Sequence, residues 1–215
     1  MKIKLFTVAL GVSLTATAIT ASAQKAYKEG VAVLSTTAMG QATEAKNYFR
    51  ADSSALAFSA GPANLKVLSD TKGSFVAILV DVSVASMKKA AIMNPSEIEE
   101  AQSQLPVLTF TPTTETKVIS GFNCKKVTAK DAKANKSYDI WVTNDFTMPM
   151  GQLSKLYAGA GGTPVQYTGF QNGQASEITL KSITEQKVPA GIFGIPKDFD
   201  KITMDELKAL SGGGN

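Results

Sequence analysis

The sequence predicts a mainly β fold of the α+β class: a strongly curved antiparallel sheet with a few short helices against one face. Three observations lead there. The stretch Val118 to Asn144 holds two β-rich runs on either side of a polar turn at Ala132 to Lys136, the pattern of an antiparallel hairpin. From Tyr27 to Ile92, short apolar runs alternate with turn signals at regular spacing, the mark of a meander. Helix-start signals are confined to a few short stretches, and no repeat or linker divides the chain.

The first segment stands apart from the fold. Lys2 and Lys4 precede an apolar run from Leu5 to Ile19, and Ala21-Ser22-Ala23 supplies small residues for cleavage, so residues 1–23 are expected to be a secretory signal peptide cut before Gln24. The run is shorter than the roughly 20 residues of a membrane span, and no cysteine near the cut invites a lipid anchor. The expectation is a periplasmic or secreted protein with no membrane span after cleavage. Residues 24–210 are then a single β-rich domain and residues 211–215 a disordered tail.

Within the meander Val31 and Val33 share a face, as do Leu56 and Phe58, and Leu65 and Val67. Gly40-Gln41, Asp52-Ser53-Ser54, Gly61-Pro62 and Asp70-Thr71-Lys72-Gly73 separate them. Phe75 to Val82 is apolar except for Asp81, which predicts a central strand covered on both faces. Asn94 then caps a helix, with Pro95 at its first position, Glu97 three residues past the cap and Met93 and Ile98 placed to staple it. Pro106 marks its stop. In the hairpin, Tyr138, Ile140 and Val142 alternate with Asp139, Trp141 and Thr143, a half-buried strand. Alternation slips at Lys125 and Lys126, predicting a bulge or an edge there. Gly151 to Ala158 reads as helix with Leu153, Leu156 and Tyr157 on one side. Val165 to Phe170 and Ala175 to Lys187 form a hairpin around Gln171-Asn172-Gly173. Thr203 with Glu206 makes the capping box of a last helix, and Ile202 faces Leu207 as its staple.

The search for chemistry is mostly exclusion. The chain has no histidine, which removes His-based triads, most zinc sites and the commonest general base. Gly159, Gly161 and Gly162 follow a helical pattern instead of opening one, so they end a helix and cradle no phosphate. Asp198 and Asp200, beside a helix start, read as solvated or capping carboxylates. Met148-Pro149-Met150 offers two thioethers of the kind that bind Cu(I), but no third soft ligand lies nearby, so packing is the reading. Asn135-Lys136-Ser137 matches a glycosylation acceptor, relevant only in a eukaryotic secretory pathway. Cys124 is the only cysteine, which excludes an intramolecular disulfide; it is expected as a small buried hydrophobe in the framework, with Trp141. No cofactor and no metal is expected. The formal charge of +4 falls to +2 when Lys2 and Lys4 leave with the signal, so no nucleic-acid partner is expected.

Ile119-Ser-Gly-Phe-Asn-Cys-Lys-Lys-Val, then Tyr138-Asp-Ile-Trp-Val-Thr-Asn and Met148-Pro149, resemble the hairpin of a bacterial periplasmic family of unknown function. Tyr48-Phe49-Arg50, Lys66 to Asp70 and Gly194-Ile195-Pro196 to Phe199 are similar to the same family. Its members are in turn similar to the outer-membrane lipoprotein carriers of Gram-negative bacteria. That resemblance implies an open half-barrel with helices on its concave side and an apolar cavity for acyl chains; it carries over no lipid-contacting residue.

Two functions follow. The first is a non-enzymatic extracytoplasmic binding or carrier protein for a lipid or other apolar ligand. The alternative is a structural or interaction module whose partner is another protein of the cell envelope. For the first, the candidate ligand-binding residues are the apolar faces of the strands: Leu65, Val67, Val76, Ile78, Val80, Tyr138, Ile140 and Val142. The short helices near residues 95–104, 151–158 and 203–210 are expected to be too few to fill the concavity.

Overall fold

The computed structural model describes residues 24–38, 41–151, 153–171 and 174–212. Two meanders make up the chain. The first runs through β2 (Gly30–Ala38), β3 (Gln41–Arg50), β4 (Ser53–Ala60), β5 (Ala63–Asp70), β6 (Val76–Val82) and β7 (Met87–Ile92). The second runs through β8 (Leu108–Ile119), β9 (Phe122–Asp131), β10 (Lys136–Thr143), β12 (Thr163–Gln171) and β13 (Gln174–Glu185). β13 pairs antiparallel with β2, and β14 (Asp200–Ile202) lies parallel to β7. The result is one twelve-stranded sheet of order β14-β7-β6-β5-β4-β3-β2-β13-β12-β10-β9-β8, open at β14 and β8. A separate parallel pair joins β1 (Lys25–Ala26) to β11 (Phe146–Thr147). Helices are few and short: α1 (Pro95–Ser103), α2 (Leu153–Leu156) and α3 (Met204–Gly212). The fold is therefore mainly β, with a large open antiparallel sheet.

Local chemistry explains the helix starts. Asn94 Oδ1 accepts from Glu97 N at 3.0 Å while Glu97 Oε2 accepts from Asn94 N at 2.6 Å, a reciprocal capping box. Thr203 and Glu206 repeat it at 3.2 and 2.7 Å. α3 then runs to Gly212 and takes up two residues assigned above to the tail. The helix expected over 151–158 is only the single turn α2, followed by a 3-10 turn at Ala158–Ala160 that ends at left-handed Gly161, φ 75°. Residues 1–23 and 213–215 and the turn residues Asn172-Gly173 lie outside the described residues.

The slip at Lys125 and Lys126 does mark a bulge in the ladder, but on the partner strand. β9 is an interior strand, and these residues pair regularly with Val142 and Trp141. The irregularity lies opposite, in edge strand β8, whose register shifts between Pro112 and Thr116. Pro112 has no N–H for the ladder, and the bulge carries Glu115 to within 3.0 Å of Lys126 Nζ, with Asp139 at 2.9 Å on its other side. Two carboxylates thus accommodate a lysine on the strand next to the edge.

Three apolar cores form among the described residues. Residues on the face holding Phe58 are here called front. The register carries that face across the seam through Ala45, Leu34, Leu180 and Ile178 to Tyr167. On the front of the second meander, Val127, Ala129, Ile140, Val142 and Tyr167 lie under Tyr157, Ala160 and the α2 leucines Leu153 and Leu156. On the rear of the first meander, Ala55, Leu68, Ala77, Leu79 and Ala90 lie under Ile192, Phe193, Ile195 and Phe199. Three alanines there leave room for the covering segment to settle close to the sheet. The third core joins the meanders through Ala32, Phe49, Cys124, Phe146, Val165 and Leu180. At that seam β2 and β13 approach so closely that a Cβ on Gly30 would land on the Thr184 carbonyl oxygen.

Candidate ligand-binding face

The front of β3 to β6 is built from rows of side chains in register. Ala45, Phe58, Leu65 and Val80 make one row, and Asn47, Leu56, Val67, Ile78 and Ala91 the next. Val82 pairs with Met87 and Ala60 with Ala63 beyond the first row. Ser54, Ser69 and Val76 follow the second. Alternation in a strand puts every second residue on this face, and from β3 through β6 none of those residues is charged. The intervening residues, on the rear, include Glu44, Lys46, Arg50, Lys66, Asp70 and Asp81.

Burial separates this face from the cores. Leu56, Phe58, Leu65, Val67, Val76, Ile78, Val80 and Val82 are all half-buried, and none belongs to, or is packed against, any of the three cores. β6 shows the contrast within one strand. Its rear residues Ala77 and Leu79 are 0% and 2% exposed, while Val76, Ile78 and Val80 remain partly open. The strand expected to be covered on both faces is fully covered on one only: the segment Ile192 to Phe199 crosses its rear, while Val76, Ile78 and Val80 on its front stay half-buried.

Of the candidates named from sequence, Leu65, Val67, Val76, Ile78 and Val80 come together here. Tyr138, Ile140 and Val142 share the same face of the sheet but lie in the core beneath α2, Ile140 at 0% and Val142 at 4% exposure. Burial assigns them to packing. Leu56 and Phe58 join the site one strand over. Their alternation was visible, but their pairing with Val67 and Leu65 was not. Asn47 had no signal at all.

Polar groups frame the apolar rows. Ser54 Oγ donates to Asn47 Oδ1 at 2.7 Å. Lys89, paired in register with Val80, is held by Asp200 at 2.8 Å. The α2 residue Lys155 donates through Nζ to the carbonyl of Lys72, in the turn after β5, at 3.2 Å. On α1, Gln102 Nε2 donates to the neighbouring Gly73 carbonyl at 3.2 Å.

No reactive cluster competes with this face among the described residues. A shallow recess of about 390 Å³ is lined by Asp81, Ser83, Ser86, Lys88, Asp198 and Asp200. Its charges are spent on one another: Lys88 Nζ lies 2.8 Å from Asp198 and 4.0 Å from Asp81. The Lys88 hydrogen bond holds the Asp198 carboxyl below the usual carboxylate range. No group of three or more His, Cys, Asp or Glu residues that could hold a metal occurs among the described residues. The Cys124 thiol is buried at 1% exposure, and burial pushes its pKa up, opposite to what a nucleophile needs. No described helix is long and apolar enough to cross a membrane.

No protein-family model matches the chain, and no curated protein matches it. Among solved structures the fold resembles that of PNGF-II, with a TM-score of 0.50 and 16% sequence identity, over 85% of this chain and 32% of that one. This chain spans about a third of that protein's length. A likeness at this identity shows shared architecture, and architecture alone does not assign an activity.

Proposed function

We propose that the protein is a non-enzymatic extracytoplasmic binding or carrier protein for a lipid or other apolar ligand, seated on the front of β4 to β6. The observation that carries this reading is the uncharged, half-buried front of β4 to β6 beside the packed front of the second meander. Large apolar patches left open on a folded protein mark places of interaction.

The sheet geometry supports a concave site. α2 lies over the front of β10 and β12, yet Lys155 reaches the turn after β5. From β12 to β5 is five strand steps in the sheet order, about 24 Å if flat at about 4.8 Å per step. A lysine side chain cannot cover that distance, so the sheet bends toward its front. We read the fold as a half-barrel whose concavity is filled at one end by α2 and left open at the other. The resemblance to periplasmic proteins and lipoprotein carriers agrees with this and with export by the signal peptide. An acyl chain gains about 0.8 kcal/mol per buried methylene, so about ten methylenes match the roughly 8 kcal/mol of micromolar binding.

Native mass spectrometry of protein purified without detergent tests the reading, with the extracted small molecules identified. A bound apolar molecule is expected, together with displacement of a fluorescent fatty-acid probe and loss of both in Ile78→Asp. If wild-type protein carries nothing apolar and displaces no probe, the interaction module replaces the carrier.

A further inference from the structure

We infer that the ligand carries an anionic head, the carboxylate of a fatty acid, and that Lys155 recognises it together with Asn47 and Ser69, at the end of the apolar rows nearest the turn after β5. This deepens the apolar-face reading above and rests on it.

Donors gather at that end. Asn47, Ser54 and Ser69 are all half-buried there, next to Leu56 and Val67. Ser54 pairs in register with Ser69, and its hydroxyl donates to Asn47 Oδ1 at 2.7 Å. That bond occupies the amide oxygen and leaves the Nδ2 hydrogens to offer. Neither they nor the Ser69 hydroxyl has a partner among the described residues. Ser69 pairs with Val76, and the ladder continues into the turn, where Asp70 N donates to the Phe75 carbonyl at 3.2 Å. Lys155 reaches the same turn from α2, its Nζ donating to the Lys72 carbonyl at 3.2 Å. Lys72 is three residues from Ser69, at most about 11 Å of extended chain, and the Lys155 side chain is exposed and free to swing. A head seated between Ser69 and the turn is within its reach.

The balance of charge at the turn decides the kind of head. Lys155 donates to a neutral carbonyl and pairs with no carboxylate among the described residues, and Lys72 on the turn itself has no ionic partner among them either. The carboxylates close by are engaged. Asp70, on the rear, accepts from Ser74 N at 2.8 Å and Phe75 N at 3.3 Å within its own turn. Asp52, whose carbonyl accepts from Thr71 N, is paired with Arg50 at 2.8 Å. α1 meets the turn through Gln102, one helical turn past the buried Ile98, while Glu97 closes the helix cap and Glu99 and Glu100 are exposed. A carboxylate head exchanges the Lys72 carbonyl for a charge-assisted bond from Lys155 and accepts from Asn47 and Ser69 as well. An ester or hydroxyl head accepts from those two and leaves the ammonium as it was. Because Lys155 is exposed, the carboxylate keeps part of its water and escapes the full cost of burying an ion. The expected ligand class is a single-chain fatty-acid anion, its tail on Leu56, Val67 and Ile78.

The test uses the full mature protein, the uncharged fluorophore Nile red as reporter, and laurate or 1-monolauroylglycerol as competitor at mildly alkaline pH, where laurate is ionised and lysine charged. Wild type is expected to prefer laurate by roughly tenfold, the scale of one charge-assisted hydrogen bond. Lys155→Met, checked for an unchanged urea midpoint, should lose that preference by weakening laurate alone, and Lys155→Arg, which keeps the charge, should retain it. Equal affinity for the two competitors, a preference for the glyceride, or a laurate preference unmoved in Lys155→Met or lost equally in Lys155→Arg overturns the head-group assignment and leaves the apolar site standing. If neither competitor displaces Nile red from wild type, the apolar-face reading itself fails, and this proposal with it.

Discussion

Ile140→Ala and Ile78→Ala remove the same atoms from the same face of the sheet, and the structure predicts very different costs. Ile140 is 0% exposed and closed in by Val127, Val142, Tyr157 and Tyr167. Its three lost carbons carry about 2.4 kcal/mol of transfer free energy at about 0.8 each. The cavity left between sheet and α2 adds to that, for a total of about 4 kcal/mol. Ile78 is half-buried and belongs to no core. Only part of its surface is removed from water, so about 1 kcal/mol is expected. With a urea slope of about 2 kcal/mol/M, the midpoints should fall by roughly 2 M and 0.5 M respectively. The measurement needs delipidated protein, because a bound ligand would add its own linkage stabilisation. Ile78→Ala costing as much as Ile140→Ala would show that the front of β6 is packed, and would sink the idea of an open apolar face.

Three further outcomes follow from the geometry. Cys124 should react with a thiol reagent slowly in native protein and rapidly in denaturant, since burial both blocks it and raises its pKa; equal rates would contradict its place in the seam. Tyr157 and Tyr167 have pKa values raised chiefly by burial, so the folded state keeps protons that the unfolded chain releases. Their contribution is full below the ordinary tyrosine value and is lost as pH rises from about 10; Tyr167→Phe should flatten that decline, and an unchanged profile would refute the assignment. Gly30→Ala should destabilise by more than about 2 kcal/mol or prevent soluble expression, because the added Cβ meets the Thr184 backbone; near-wild-type stability would mean that the two meanders are not joined there.

What the sequence disclosed was local. Gly61-Pro62 and the Asp70 to Gly73 turn mark the ends of β4, β5 and β6, so these three strands could be located from their turns, while β7 carries no such signal. The capping boxes at Asn94 and Thr203 likewise declare helix starts through contacts three residues apart. The seam between β13 and β2 gives no such sign, since Leu180 and Leu34, which pair there, lie 146 residues apart in the chain. The bulge in β8 showed itself only as two lysines out of phase on β9, the partner strand. Tyr138, Ile140 and Val142 have the same alternation as Leu65 and Val67. What separates core from open face is whether another element lands on them, and that element lies elsewhere in the chain.

The apolar front of β4 to β6 is not something strand formation demands. The same strands carry Lys46, Lys66 and Asp81 on their rear, so charged residues are compatible with these positions in the ladder. Threonine would satisfy strand propensity on the front equally well. Packing does not require the apolar residues either, because the rear core is completed by Ile192, Phe193, Ile195 and Phe199 without them. An uncharged surface of this extent lowers solubility and exposes the chain to association. The edges of the sheet, by contrast, are protected: β8 carries Pro112 and a bulge, and β14 is only three residues long, both devices against strand-to-strand association. The rim of the sheet is thus closed to a further strand, while the front of β4 to β6 stays uncharged and half-buried.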